Sequence, residues 1–460
     1  MKKTIIFIAA AAAVLSGCSK VLDGISPKNA ISTGAVSEAD LNKLTNGVLY
    51  TMESYAANSW FSGDVMGEAL GSGPGISLSP DPLLMTPSTN DVASRWQNSF
   101  TALRQVNELL ATAMGSSATA GNARKTAYFC RALIYFNLVT RWENVPIVRR
   151  STNEEIALSP KNEVYDFILE DLKAAGENAS TKSGFFYVSD AAVNALYAKT
   201  YLWMGENTLA AQYASKVIDE SGCSLEDTSE GLASTWVNGT SGKEIIFALA
   251  NLRTSGQITL YSYVNDTDAS WNYSVGGEWC TKEGETIKSI SLWDDVPGVK
   301  SGDIRRSVNI TDADLKRILK FPNGNESLNQ FVKNPDATQS PLVLFRIAEM
   351  YLVKAEAEGN TTAGHATLES FMKKRYASVS IPASMTDTQW QDLLLDENMR
   401  EFMGEGHRWF DVKRMGRLDK FRTLGGRDWL MVWPIPQREI DLLSDKSKYP
   451  QNPGYAKTNQ

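Results

Sequence analysis

The stretch WNYSVGGEWC, residues 271–280, sets Trp271, Tyr273 and Trp279 around Gly276 and Gly277 with no helical period. A core helix would space such rings three or four apart and would avoid paired glycines. Rings carried on a loop offer flat apolar faces edged by polar groups, which suits stacking against a ligand rather than bond making. Tyr261 and Tyr263 lie just upstream, and Trp60 with Phe61 precede a proline-rich stretch, 71–90, that contains Pro74, Pro80, Pro82 and Pro87. Each of these rings would also serve as a plug in the core, and Trp96, on a helical stripe, is expected there.

Residues for covalent chemistry are sparse. The two histidines, His365 and His407, are far apart and in no metal-ligand spacing. There is no HExxH, no CxxC, no G-x-S-x-G elbow and no phosphate-cradling glycine loop. No catalytic residue, no metal and no cofactor is therefore expected, and His407, beside Arg408 and Trp409, reads as structural. A glycosidase pair of carboxylates is defined by separation in space, so 53 acidic residues leave that chemistry open.

Long helices position these loops. Ser37-Glu38-Ala39-Asp40 has the form of a capping box, after which Leu41, Leu44, Val48, Met52 and Tyr55 recur at helical steps. Trp96, Phe100, Leu103, Val106 and Leu110 share the next face. Further helices are expected at about 122–141, 162–176, 189–204, 208–220, 343–358 and 388–403, and a strand over 244–249. Ala198, Tyr201, Gly205 and Ala210 fall at the spacing of a tetratricopeptide helix–turn–helix, with Ala214 where that pattern has an aromatic. The expected fold is mainly α: tetratricopeptide-like helix pairs forming a scaffold, with an irregular loop-rich subdomain carrying short strands. The divisions are a helical region at 37–221, a loop-rich ligand-binding region at 222–340 and a C-terminal helical region at 341–460.

Lys2 and Lys3, an apolar run from Ile5 to Leu15 and the tetrad Leu15-Ser16-Gly17-Cys18 open the chain. The run is too short for a bilayer, which takes roughly 20 apolar residues, so 1–17 reads as a signal peptide. The tetrad resembles the bacterial lipobox, which makes Cys18 the lipidated N-terminus and 18–36 a tether. Lys plus Arg number 46 against 53 acids, the wrong balance for a nucleic-acid binder. Hydrophobic residues at 43% supply a large core and exclude disorder. Cys130, Cys223 and Cys280 allow at most one bridge, so disulfides do not define the fold.

Several segments in order resemble one family. They are Cys18 to Asp23 followed by Pro27; WQNSFTALRQVNELL (96–110); Arg131-Ala132 with Tyr135-Phe136 and Val145-Pro146; and YDFILEDLKAA (165–175). Arg346 to Leu352, Ala355-Glu356-Ala357, Arg400-Glu401-Phe402, Glu405 to Asp411, Pro434-Ile435-Pro436 and Gln451 to Tyr455 complete the set. Together they resemble the SusD/RagB-type outer-membrane lipoproteins of Bacteroidetes.

Physically, these shared residues read as scaffold. Arg346 with Glu349, and Arg408 with Asp411, are spaced for i,i+3 ion pairs, and with Arg400 and Glu405 they are expected to form a polar network. Pro434-Ile435-Pro436 forces an extended crossing. The resemblance implies a cell-surface lipoprotein that binds oligosaccharide and passes it to a SusC-like TonB-dependent outer-membrane transporter, held to the membrane through Cys18. A sugar ring has an apolar C–H face, and Trp271, Tyr273, Trp279, Tyr261, Tyr263, Trp60 and Phe61 are the expected platform for it. The alternatives are a peptide-binding member of the same family, a lipid-anchored glycoside hydrolase and a pure helical scaffold.

Overall fold

The computed structural model describes residues 36–60, 62–67, 69–72, 85–237, 242–251, 273–275, 299–309, 319–321, 340–420 and 427–455. Helices dominate, as expected. In chain order the first are α1 (Glu38–Trp60), α2 (Ser62–Met66), α3 (Asn90–Thr112), α4 (Ala118–Trp142) and α5 (Lys161–Glu177). The pair α6 (Asp190–Met204) and α7 (Asn207–Glu220) is followed by the short α8 (Ser229–Ser234) and α9 (Arg306–Asn309). The C-terminal part carries α10 (Ile347–Glu358), α11 (Thr362–Met372), α12 (Asp387–Phe402), α13 (Arg408–Arg414) and α14 (Gln437–Leu442).

Polar side chains start several of these helices. Ser117, Ser189, Thr228 and Thr361 each accept the backbone N–H three residues on, which satisfies a donor the helix cannot. Ser37 caps α1 in the same way, but Asp40 accepts from the Ser37 hydroxyl (2.6 Å) and so makes a simpler cap than the box expected there. The complete box belongs to α12, where Thr386 and Gln389 exchange bonds.

α4 is buried on nearly all its faces and packs against α1, α3 and α5. The α6–α7 pair turns at Gly205, whose φ of 78° is left-handed and costs a glycine little. Ala198 and Ala210 are completely buried, so the two helices approach closely, as their spacing predicted. Tyr213, next to the small Ala214, supplies the aromatic and stacks on Tyr197 and Tyr201 at 4.5 and 5.5 Å.

Three two-stranded antiparallel sheets tie distant segments together: β1 (Leu70–Ser72) with β3 (Tyr273–Val275), β2 (Ile245–Leu249) with β5 (Leu342–Arg346), and β4 (Val299–Asp303) with β6 (Tyr376–Val379). β5 corrects the helix expected over 343–358. β2 is wholly buried, so its backbone needs a partner that water cannot be, and Leu342–Arg346 supplies one before the chain turns into α10. One large core draws on residues from Leu41 to Tyr455. A second, smaller one fills the space between α10, α11 and α12.

Candidate functional site

β1 and β3 join the two segments that carry the expected aromatic platform. Trp60 ends α1, α2 and β1 follow, and β1 pairs with β3 in the register Ser72 to Tyr273, Gly71 to Ser274 and Leu70 to Val275. Main chain at Leu70–Ser72, ten residues beyond Trp60, thus runs beside Tyr273–Val275 of the 271–280 stretch. The side chains of Trp60 and Tyr273 lie outside the described residues, as do Phe61, Tyr261, Tyr263, Trp271, Trp279 and Cys18.

Beneath this junction α2 is fixed by one carboxylate. Asp64 accepts the backbone N–H groups of Gly404 (2.8 Å), Gly406 (2.9 Å) and Arg408 (3.1 Å), which holds the turn leading into α13. Burial pushes its carboxyl up to about 6, against the three N–H groups. A Cβ on Gly63 would run into the Gly406 carbonyl, so α2 sits directly on that turn.

The polar network expected among the C-terminal residues exists with different partners. Arg346 ends β5 and stands at the N-cap of α10, and its guanidinium reaches Glu244 (3.0 Å), Glu401 (2.7 Å) and Glu405 (2.8 Å). Glu401 also takes Arg375 (2.9 Å) and Arg305 (3.2 Å). Glu397 pairs with Arg400 (2.8 Å) and Arg305 (3.0 Å), Asp303 with Arg305 (2.6 Å), and Lys320 with Glu405 (2.7 Å). Five cations, Arg305, Lys320, Arg346, Arg375 and Arg400, thus face five carboxylates, Glu244, Asp303, Glu397, Glu401 and Glu405, all buried or nearly so. Burial opposes the charge on Glu401, but Arg375 and Arg346 hold its carboxyl well below the usual range. The i,i+3 pairs expected for Arg346 and Arg408 are replaced: Glu349 pairs with Lys199, Asp411 with Arg414 (3.0 Å), and Arg408 donates to the Leu395 carbonyl (3.3 Å).

Beside the network lies a cleft of about 160 Å³ between α1, α4, α6, β5 and α13. Phe136, Arg141, Lys199, Trp203, Phe345 and Phe410 are among its lining side chains. His407 stands at its edge with its ring parallel to Phe402, centroids 4.2 Å apart. Burial, with Lys199 and Arg346 nearby, holds the imidazole well below its ordinary value, so it is neutral at physiological pH. His365 stacks on Trp390 at 4.8 Å. Among the described residues no group of three or more His, Cys, Asp or Glu side chains is placed to hold a metal ion.

Arg141 went unnoticed in the sequence because a cation in the last turn of a helix reads as a partner for the helix dipole, and Lys199 because a lone lysine on a helix reads as a solvated side chain. Also missed was Tyr187, 40% exposed, in a shallow hollow with Asn42, Asn46, Asn122 and Lys182. Its signal, an aromatic in a short loop between helices, is too common to act on.

This arrangement, helix pairs bound by a buried charge network and three small sheets, has relatives. Residues 235–427 match the SusD family model, and 24–202 match a model described as starch-binding associating with outer membrane. The chain belongs to the SusD-like family. SusD-like protein P2 of Formosa agariphila is 26% identical over 420 residues, covering 79% of this chain and 81% of its own. A SusD-like protein of Bacteroides ovatus is 23% identical over 393 residues, covering 75% and 70%. Among solved structures, a SusD superfamily protein from Bacteroides vulgatus superposes with a TM-score of 0.74 at 22% identity, covering 92% of this chain and 100% of its own. A laminarin-binding SusD-like protein gives 0.63 at 19% identity, covering 92% and 100%. These likenesses show the fold. No helix among the described residues is long and apolar enough to cross a membrane.

Proposed function

We propose that the protein is a non-enzymatic, lipid-anchored binding protein that captures extracellular oligosaccharide at the outer membrane and hands it to a SusC-like TonB-dependent transporter. The observation that carries this reading is the family match across both halves of the chain. The β1–β3 pairing is compatible with a shared platform, since it sets the backbone of Tyr273–Val275 beside Leu70–Ser72, ten residues beyond Trp60. In this reading Trp271, Tyr273 and Trp279, with Tyr261, Tyr263, Trp60 and Phe61, stack on sugar faces. Water leaves both apolar surfaces on contact, which supplies the driving force.

Isothermal titration of the protein against starch, laminarin and peptide fragments tests the cargo. Trp271→Ala and Trp279→Ala are expected to abolish sugar binding with the melting temperature nearly unchanged, because an exposed ring contributes little to folding. Normal binding by both variants, or strong destabilisation of both, would move the platform elsewhere, and Tyr187→Ala then tests the asparagine-lined hollow. Peptide binding without sugar binding would reassign the cargo.

Cys18→Ala is expected to leave an unlipidated precursor that washes off outer membranes with carbonate, and retention of this variant would count against the anchor. The transporter is expected to co-purify in detergent through an interface of more than about 2,000 Å². Repeated isolation of the protein alone from native membranes would count against that partner.

A further inference from the structure

The cleft beside the charge network carries an inference of its own. Three of its cations are neutralised in place: Arg346 by Glu244, Glu401 and Glu405, Arg414 by Glu356 and Asp411, and Lys199 by Glu349. Arg141 differs. It is 5% exposed and lines the same cleft. Its guanidinium donates to the Asn137 carbonyl (3.0 Å) and to the Ser62 hydroxyl (3.4 Å) and meets no carboxylate among the described residues. Its Nε has no hydrogen-bond partner among them. Phe410 and Trp433 flank the group at 4.6 and 5.7 Å from their ring centres. A buried cation without an anion is costly unless something neutralises it in the working state.

The space in front of Arg141 sets the size of that partner. About 160 Å³ is close to the ~150 Å³ of a cavity that holds one benzene ring. Phe136, Trp203, Phe345 and Phe410 give the walls flat faces, and the guanidinium fork matches the two oxygens of a carboxylate.

We propose that this cleft is a binding site for a small carboxylate carried on a six-membered ring, with the carboxylate on Arg141 and the ring between the aromatic walls. Such a group exists on an aromatic acid and on an acidic sugar. The site rests on described residues of the scaffold helices and β5 alone, so it does not depend on the reading of the aromatic segments.

The test is titration and thermal shift of the full chain with benzoate and glucuronate, each beside its neutral counterpart, benzyl alcohol and glucose. At least one anion is expected to bind and to raise the melting temperature, with its counterpart much weaker. Binding of benzoate alone identifies the aromatic acid, and binding of glucuronate identifies the acidic sugar. Arg141→Gln is expected to weaken that binding by about tenfold to a hundredfold, the share of a charged hydrogen-bonding partner. If Arg141→Gln does not fold, Arg141→Lys, which keeps the charge and loses the fork, is expected to weaken binding in the same direction. The site is refuted if neither anion binds below about 10 mM, if the neutral counterparts bind equally well, or if a folded Arg141 variant binds like the wild type. Those outcomes would leave Arg141 held by its flanking rings and its place in the last turn of α4.

Discussion

Glu401 receives three guanidiniums, from Arg305, Arg346 and Arg375, with almost no solvent contact. Glu401→Gln keeps the shape but leaves three buried cations short of one counter-charge, so the expected loss is about 3–5 kcal/mol of unfolding free energy in denaturant titration. A loss under about 1 kcal/mol would show that the network is incidental. Its pH dependence is also set. The depressed Glu401 contributes stability above the ordinary glutamate range, and that stability is lost as pH falls through its folded value. Asp411 behaves oppositely, because burial raises its carboxyl to about 6, with Arg414 opposing. Folded protein then holds a proton that unfolded chain has released, so stability falls between about pH 4 and pH 6 and is flat above. Relative to Asp411→Asn, the wild type is expected to lose roughly 2–3 kcal/mol over that window, read from unfolding curves at matched pH. Three members of the network, Arg346, Arg400 and Glu405, were legible in the sequence, but the other seven and the pairing were not. Partners such as Glu244 and Arg346 are distant in the chain, and local spacing reports only neighbours on a helix.

At the scale of elements, the helices and the buried strand expected over 244–249 were legible, whereas its partner and the other strands drawn from distant segments were not, for one physical reason. A helix satisfies its backbone within itself, so its apolar period and caps are local signals. A two-stranded sheet needs a distant partner, so Leu342–Arg346 looked like the first turn of α10 until β2 was seen to claim it. The seating of α2 was equally invisible, since it depends on Asp64 and Gly63 meeting a turn more than 300 residues away, at |i−j| of 340 for the Gly404 bond. Gly63→Ala is expected to cost about 1–3 kcal/mol, because the new methyl meets the Gly406 carbonyl and neither backbone can yield cheaply. Faster hydrogen exchange at Gly404, Gly406 and Arg408 would locate the damage, and unchanged exchange would show that α2 does not hold the turn.

Across the whole molecule, the aromatic platform and the anchor are proposals drawn from sequence and family resemblance, while the cleft exists only where α1, α4, α6, β5 and α13 come together. The charge network has a further consequence, for the order of assembly. Its members are spread from Glu244 to Glu405, and all three sheets close loops of tens to hundreds of residues. The helix pairs of the N-terminal half, built on near neighbours, can form early, whereas these long-range closures come late. A half-built network would strand charges in a dry interior, so partial states of the C-terminal half are disfavoured at every step and it closes as one cooperative event. Pulse-labelled refolding should therefore show the amides of α4 to α7 protected first, and those of β2, β5 and α12 protected later and together.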